Sequence, residues 1–443
     1  MSKTTDTAAP SASALYRAFW RWHFYAGLLV LPFLMLLALT GGAYLFKDEI
    51  DTAVYRRFEA VQTRVDTAAP STWISAAERA SGGKAVRLVT PEPGRAAHVV
   101  IQQPDGEKRT VFVDPFDGRV TGSITYGGVM EFIKRLHSLE LVAPWANWLV
   151  EIVAGWAIVL VATGFFLWWP RRKGLGGVVA LRGAPGQRVF WRDLHAVTGL
   201  FAGGLIVFLA ATGMPWSVVW GKQVRDITAS AGLGRPKAPT AEVHAEHADH
   251  GAVPWSLQGK RITASTGPQA PIELILGNVR NAGLGTPFVL SMPAKPGAAW
   301  SAAYMPDQVE DTRTLYLDPV SGGVLADIRY GQFGAAAKAI EWGISVHQGQ
   351  QYGRINQWLM LGACIAIWLM GGSALIMWWK RRPKGSLGAP PAPADRRVYG
   401  GLALVVAPLA IFYPLVGASL VVALVIDQLA GRLIAAARKA GQS

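Results

Sequence analysis

The sequence contains a single cysteine, Cys364, which lies inside an apolar run, so no intrachain disulfide is possible. Charged residues are also few: they make up 16% of the 443 residues, whereas hydrophobic residues make up 51% and the mean hydropathy is +0.25. These values exclude an ordinary soluble domain. The chain also lacks a dinucleotide-binding fingerprint, a P-loop, a nucleophile elbow and an H-E-x-x-H motif, which excludes the enzyme classes that depend on them.

Long apolar runs are what the sequence has instead. Five of them reach about 20 residues, the length that crosses a bilayer as a helix, so we predict a polytopic membrane protein of the inner-membrane type. The first run is too long for the core of a signal peptide and lacks a cleavage site before Lys47, so it is predicted to remain uncleaved. The predicted membrane helices span 17–46, 137–169, 189–219, 347–379 and 399–429.

The formal charge of +14 reports orientation in this chain rather than nucleic-acid binding. Basic residues gather beside the ends of the apolar runs: PRRKG follows Trp169, KRRPKG follows Trp379, and Arg17 and Arg21 precede the first run. The positive-inside rule therefore predicts a cytoplasmic N-terminus and two cytoplasmic loops, with two large segments outside. The cytoplasmic parts are 1–16, 170–188 and 380–398, the outside segments are 47–136 and 220–346, and the C-terminal tail is 430–443.

The chain carries an internal duplication of a helix that begins with a histidine. Aligning His23 with His195 places glycine at plus four and a Thr-Gly pair at plus 17 and plus 18 in both copies. The first copy reads FWRWH and the second FWRDLH, so the residues before the histidine are offset by one.

A second part of the duplication follows in the outside segments. VDPFDGRV at 113–120 and LDPVSGGV at 317–324 each predict a turn between strands. Twelve residues after each turn aspartate comes a tyrosine, then a helix-like stretch with His137 or His347, and 31 residues after each histidine comes a WW pair. The repeated unit is thus helix, α+β module, histidine, helix, and the two copies should be related by an axis along the membrane normal. We therefore predict a membrane α-helical bundle of four core helices in two parallel repeats plus a C-terminal helix, with two α+β modules.

The axis is expected to bring His23 to His195 and His137 to His347, at two different depths. A lone histidine near a helix end is more often a packing residue, but four at matched positions favour ligands. Two opposed imidazoles suit the axial positions of a haem iron, whereas zinc normally takes three or four ligands. Because C-x-x-C-H is absent, thioether attachment is excluded and two noncovalent b-type haems are predicted.

Other residues near the predicted haems can each be interpreted in two ways. Arg135 and Arg354 are candidates to bind haem propionates, with interfacial anchoring as the alternative. The helix glycines 27, 41, 42, 199, 203, 204 and 213 either admit the flat ring or allow close helix approach. HAEHADH, with His244, His247 and His250, is predicted to be a flexible loop, and a weak metal contact is the alternative.

The duplicated H-x3-G-L helix with its Thr-Gly pair, the D-P turns and the histidine-to-WW helices together resemble the PepSY-associated transmembrane family, over about Tyr16 to Asp427. Its members include inner-membrane ferric-siderophore reductases. The resemblance implies periplasmic PepSY modules and two b haems. In the reductase members these haems carry electrons from a cytoplasmic or quinol donor to a siderophore-bound Fe(III). Thr163-Gly164 becomes Ser373-Ala374 in the second copy, which departs from the repeat.

Two rival functions stay open at this point. In one, the haems deliver electrons to another periplasmic acceptor, such as a redox protein. In the other, the chain is a haem-free siderophore permease or a regulatory scaffold, which predicts that alanine is tolerated at all four histidines. No residue of the outside modules stands out as an acid, base or nucleophile, as expected for outer-sphere electron transfer.

Overall fold

The computed structural model of the chain describes residues 12–170, 176–234, 264–295, 297–383, 388 and 398–440. The histidines at 244, 247 and 250 lie outside these described residues. The chain divides into two compact units. The membrane unit comprises Met1–Gly42, Leu136–Val224 and Leu359–Ser443, and the sheet unit comprises Ala43–Arg135 and Arg225–Trp358.

Helices account for most of the fold. In chain order they are α1 (Ala12–Tyr44), α2 (Lys47–Glu59), α3 (Pro70–Ser81), α4 (Gly128–His137), α5 (Asn147–Trp168), α6 (Arg188–Gly213), α7 (Trp220–Ser230), α8 (Ile272–Asn281), α9 (Ala335–His347), α10 (Gly353–Arg381), α11 (Val398–Phe412) and α12 (Pro414–Ala440). Four helical segments of the described chain are long and apolar enough to cross a membrane: Ala14–Tyr44, Pro144–Trp168, Arg188–Trp216 and Gly353–Arg381. The prediction of a multi-pass helical membrane protein is confirmed.

Two of the predicted membrane helices begin later than their histidines. His137 ends α4, and the spanning helix α5 begins at Asn147, because Leu139 adopts a left-handed φ of 61° and ends the helical path. His347 likewise ends α9, and α10 begins at Gly353, which has a φ of 60°. The predicted starts at 137 and 347 are therefore wrong, and both histidines lie on short helices that precede the spanning ones.

The C-terminal apolar run, predicted as one helix over 399–429, forms two helices that meet at Tyr413. Pro414 has no N–H to donate to the preceding turn, so the helix cannot continue through it. Both helices pack against α5. At this contact a Cβ on Gly155 would lie only 2.1 Å from Val416 Cγ2, so the glycine allows the close approach.

The core of the membrane unit is apolar and formed by its helices. Cys364 is buried together with Ala38, Ala202 and Ile206, from α1, α6 and α10. Cys364 therefore contributes to the packing between these helices. A second cluster joins α1, α5, α11 and α12 around Phe19, Val30, Trp156, Met214, Tyr413 and Val416.

The sheet unit contains one antiparallel sheet of eight strands in the order β4-β3-β2-β1-β5-β6-β7-β8. Its strands are β1 (Lys84–Val89), β2 (Ala97–Gln102), β3 (Lys108–Val113), β4 (Val120–Thr125), β5 (Val289–Ser291), β6 (Trp300–Tyr304), β7 (Arg313–Leu317) and β8 (Val324–Arg329). Three residue pairs, from Arg87 opposite Ser291 to Val89 opposite Val289, join β1 to β5. The two predicted modules therefore share one sheet instead of forming two separate ones.

One core stabilises both halves of this sheet. Trp73 and Ala77 of α3 and Ile275 and Val279 of α8 are buried in the same apolar cluster as the inward side chains of the strands. Helix α3 is amphipathic, and strands β1, β2 and β3 follow it in the chain. Apolar side chains alternate toward one face of a strand, and this places them against the helices.

The two predicted D-P turns have the same geometry. Asp114 N donates to Arg119 O, and Asp318 N donates to Gly323 O, each at 2.8 Å. Gly118 and the corresponding Gly322 have φ values of 73° and 70°, a region that favours glycine. In the second turn the N–H groups of Ser321, Ser265 and Val320 donate to the Asp318 carboxylate and hold its pKa well below its usual range.

A buried acidic cluster attaches α2 to the sheet. Glu59 Oε1 lies 2.8 Å from His98 Nε2, and Asp51, two turns earlier on α2, has a buried Oδ1 without a hydrogen-bond partner among the described residues. Burial, followed by the negative charges of Asp48 and Glu59, raises the pKa of Asp51 to about 6. The ionised Asp51 therefore costs folding free energy above this pH.

We expect Asp51→Asn to stabilise the sheet unit at pH 8 and to have little effect at pH 4. The raised pKa means that the penalty is present above about 6 and is lost as Asp51 becomes protonated at lower pH. After discounting for solvent screening, the gain is about 1 kcal/mol, or roughly 2–4 °C in apparent Tm. Thermal unfolding in detergent at both pH values measures it. The exposed Asp66→Asn is the control, and an equal gain at pH 4 would contradict the prediction.

Candidate functional site

His23 and His195 face one another inside the membrane unit. His23 lies about a third of the way along α1, and His195 lies near the start of α6. Their ring centroids are 6.3 Å apart, and the two rings are nearly perpendicular, at 89°. The predicted pair is thus brought together by two helices that are far apart in sequence.

Thr163 of α5 fixes which nitrogen of His23 carries the proton. The Thr163 hydroxyl donates its one proton to Val159 O at 2.8 Å, so it must accept from His23 Nδ1, which is 2.9 Å away. Nδ1 of His23 is therefore the N–H, and the opposite nitrogen, Nε2, keeps its lone pair. This is the arrangement that a metal-binding histidine requires.

The same tautomer is imposed on His195 by a different group. Its Nδ1 donates to the backbone carbonyl of Met370 at 2.9 Å, and a carbonyl can only accept. The Ser373 hydroxyl also donates to this carbonyl, at 3.0 Å. Ser373 occupies the place of Thr163 in the second copy, so the departure from the repeat replaces a hydroxyl acceptor with a backbone acceptor.

The spacing of the two rings fits a single metal ion between them. Imidazole nitrogens bind first-row metals at about 2.0–2.1 Å, and the ring centroid lies roughly 1 Å behind the nitrogen, so two axial imidazoles hold their centroids about 6 Å apart. The observed 6.3 Å agrees with this value. Because both Nδ1 atoms are engaged in hydrogen bonds, Nε2 is the nitrogen that each ring could offer to a ligand.

His137 repeats the hydrogen-bonding pattern of His23. Its Nδ1 lies 2.8 Å from the Thr40 hydroxyl, which donates its own proton to Leu36 O at 2.8 Å. His137 therefore also has a protonated Nδ1 and a lone pair on Nε2. The Thr40–His137 contact lies 17 residues after His23 on α1, or about 26 Å along the helix axis, which is close to the hydrocarbon thickness of a bilayer.

Glycine follows each of these two threonines and leaves room for the ring. A Cβ on Gly41 would lie 3.3 Å from His137 Cε1, and one on Gly164 would lie 3.4 Å from His23 Cε1. The Thr-Gly pair thus supplies both the acceptor for Nδ1–H and the space for the imidazole. The sequence contains this signal at 40–41 and at 163–164, but the role of threonine as a histidine partner was not predicted.

The remaining predicted residues lie in the sheet unit. His347 is the last residue of α9, and its pairing with His137 stays a prediction. Arg354 forms an ion pair with Glu49 and donates to Gln357 Oε1 at 2.8 Å, so its guanidinium is already engaged. Arg135 is exposed on the last turn of α4. A propionate role for either arginine stays a prediction.

Two of the helix glycines lie where neighbouring helices approach closely. A Cβ on Gly42 would lie 3.7 Å from Cys364 Cβ, and one on Gly203 would lie 3.2 Å from Val161 Cγ1, so these two positions serve close helix approach. A Cβ on Gly204 would have no heavy atom within 4 Å.

Comparison with known proteins agrees with these observations. Residues 20–381 match the family described as PepSY-associated TM region. No curated protein sequence matches the chain. The match covers most of the chain, including the four membrane helices and the intervening sheet unit, and it confirms the resemblance seen in the duplicated motifs. The chain therefore belongs to the PepSY-associated transmembrane family.

Proposed function

We propose that this protein is a bacterial inner-membrane electron-transfer protein that binds two b-type haems and reduces periplasmic ferric siderophores from Fe(III) to Fe(II). The observation that carries the proposal is the His23–His195 pair, whose centroid separation of 6.3 Å suits two axial ligands of one iron. When bound, each haem supplies one-electron transfer at the iron.

The chain contributes ligands, orientation and insulation to this chemistry. When bound, the cytoplasmic-side haem would be held by His23 and His195, and the periplasmic-side haem by His137 and His347. Thr163, Met370 and Thr40 keep three of these imidazoles in the tautomer that presents Nε2. The apolar helices around them exclude water and thereby lower the dielectric around the metal.

The two histidine sites lie at different depths in the membrane unit, and this separation supports electron transfer across the membrane. The levels of His23 and Thr40 are about 26 Å apart along α1, so one haem lies near each face. The basic clusters after Trp169 and Trp379 favour a cytoplasmic location for the His23 end. The sheet unit, with its two PepSY-type halves, is then periplasmic.

The sheet unit offers a cleft for the acceptor directly after His347. The cleft has a volume of about 880 Å³ and is open to solvent. Amide, basic and acidic side chains line it in a mixture: Gln348, Gln350, Lys47, Arg56, Arg354, Asp48, Glu49 and Asp307. Both hydrogen-bond donors and acceptors are therefore available to the polar surface of an iron chelate. Reduction releases the iron because hard oxygen donors hold Fe(III) more tightly than Fe(II).

We expect the purified protein to contain close to two b haems per chain, and His23→Ala or His195→Ala to lose about one of them. Each substitution removes one of two axial nitrogens, which a b-type haem needs for retention. The pyridine haem complex and the dithionite-reduced spectrum measure the loss. His98→Ala, in the sheet unit, is the matched control. A colourless wild-type protein from haem-replete cells would overturn the proposal.

We expect Thr163→Val to weaken haem retention by about 10–100-fold while Thr163→Ser leaves it intact. Valine removes the acceptor for His23 Nδ1–H, and loss of such an outer partner typically costs this much in metal affinity. The rate of haem transfer to apomyoglobin from the purified variants measures retention. Equal rates for valine and serine would show that the hydroxyl does not orient His23.

The protein is reduced with dithionite and freed of excess reductant under argon. We expect it to be reoxidised when it is mixed with a ferric siderophore. The measurement is the decay of the reduced haem bands, with Fe(II) captured by ferrozine as the second readout. A redox-inert gallium siderophore is the control. Reoxidation by periplasmic redox proteins alone, with no response to any ferric siderophore, would favour the rival acceptor.

A further inference from the structure

Glu151 is a carboxylate inside the membrane unit that the haem sites do not use. It lies on the second turn of α5 and is completely buried. Its Oε2 accepts the backbone N–H groups of Val219 and Trp220, each at 3.2 Å, at the beginning of α7. Its Oε1 is buried without a hydrogen-bond partner among the described residues. Native proteins rarely leave such an oxygen without a donor, so a donor from outside the chain is expected there.

The carboxylate does not belong to the duplicated pattern. The offset that relates His137 to His347 relates Glu151 to Leu361, an apolar residue. Ionisable residues at membrane depth are costly and are retained for function. Both halves of the duplication contribute histidines, so ligand binding by histidine does not explain a carboxylate that only the first half has. Glu151 is therefore expected to have a role that only the first half performs.

An aromatic cluster lies beside the carboxylate. The ring of Trp220 is 5.7 Å from that of Phe412 and 5.6 Å from that of Tyr413. Phe412 is 58% exposed on the apolar surface of the membrane unit, at the junction where Pro414 interrupts the helix. The exposed ring of Phe412 therefore offers a stacking surface to a flat aromatic molecule in the lipid. An interrupted helix is also where bending is expected.

We propose that this place is a hydroquinone site, at which a lipid-soluble hydroquinone donates a hydroxyl proton to Glu151 Oε1. The chemistry selects this class: the ligand must dissolve in lipid, stack on aromatic rings and carry an O–H donor. The inference rests on the proposed function, because the hydroquinone is then the electron donor of the haems.

The step balances with the two haems as acceptors. The hydroquinone loses two electrons and two protons and becomes a quinone. The two haems of the proposed function, when bound, would accept one electron each. One O–H bond breaks as Glu151 Oε1 takes up its proton, and the proton of the second O–H goes to water. Glu151 lies 12 residues before Thr163, or about 18 Å along α5, so its level is about 8 Å from that of Thr40 and His137. Glu151 therefore lies nearer the level of the Thr40–His137 contact than that of His23.

The first test is binding, measured independently of haem. A decyl-substituted benzohydroquinone is titrated under argon into the detergent-purified full chain by calorimetry. We expect Glu151→Gln to raise Kd by at least about tenfold, because an amide replaces a charged acceptor. Phe412→Leu should raise Kd by about two- to tenfold through lost stacking. The exposed Phe201→Leu, on the apolar surface of α6, is the matched control and should change nothing.

The second test is reduction of the haems by the same hydroquinone. Glu151→Gln should slow it at least about tenfold, while reduction by dithionite is unchanged. Glu151 accepts hydrogen bonds from the start of α7, and its substitution can therefore prevent folding. In that case the Kd of the exposed variant Phe412→Leu is the deciding measurement. Kd values within twofold of wild type in the folded variants, or no binding to a wild-type protein with full haem, would overturn the inference and leave the proposed function intact. Hydroquinone binding to a protein that takes up no haem would refute the proposed function instead.

Discussion

The hydrogen bond from a histidine Nδ1–H to an acceptor on a neighbouring helix is the interaction on which the membrane unit depends. An imidazole among apolar helices must satisfy this donor or pay for its burial, and no water is at hand to do so. Thr163, Thr40 and the Met370 carbonyl each satisfy one histidine. The same bonds connect α1 with α5, α1 with the end of α4, and α6 with α10, so ring orientation and helix packing are fixed together.

Much of this architecture could be predicted from the sequence, for physical reasons that differ between elements. Apolar length alone identified the membrane helices, and the D-P turns indicated the strands on either side of them, which are β3 and β4, and β7 and β8. The pairing of His23 with His195 followed from the duplication. These features depend on local pattern or on a repeat, both of which can be read directly.

Features that depend on tertiary contact were missed. The pairing of β1 with β5 involves main-chain atoms and has no side-chain signature, so two modules were expected where one sheet exists. Leu139 has a left-handed φ although it is not a glycine, so its residue type did not indicate that α4 ends at His137. The acceptor of His195 is a backbone carbonyl, which no residue type reveals. Thr163 was visible as part of a Thr-Gly pair, but only the structure shows which histidine it faces.

The seam between β1 and β5 also has a consequence for the order in which the protein is made. The first four strands are synthesised before α5 and α6, whereas β5 follows both of these helices. Until β5 arrives, the outer edge of β1 exposes unpaired main-chain groups, the kind of edge that invites pairing with other chains. The sheet can be completed only after the chain has passed through α5 and α6. A chain that ends before β5 therefore carries an open strand edge on β1.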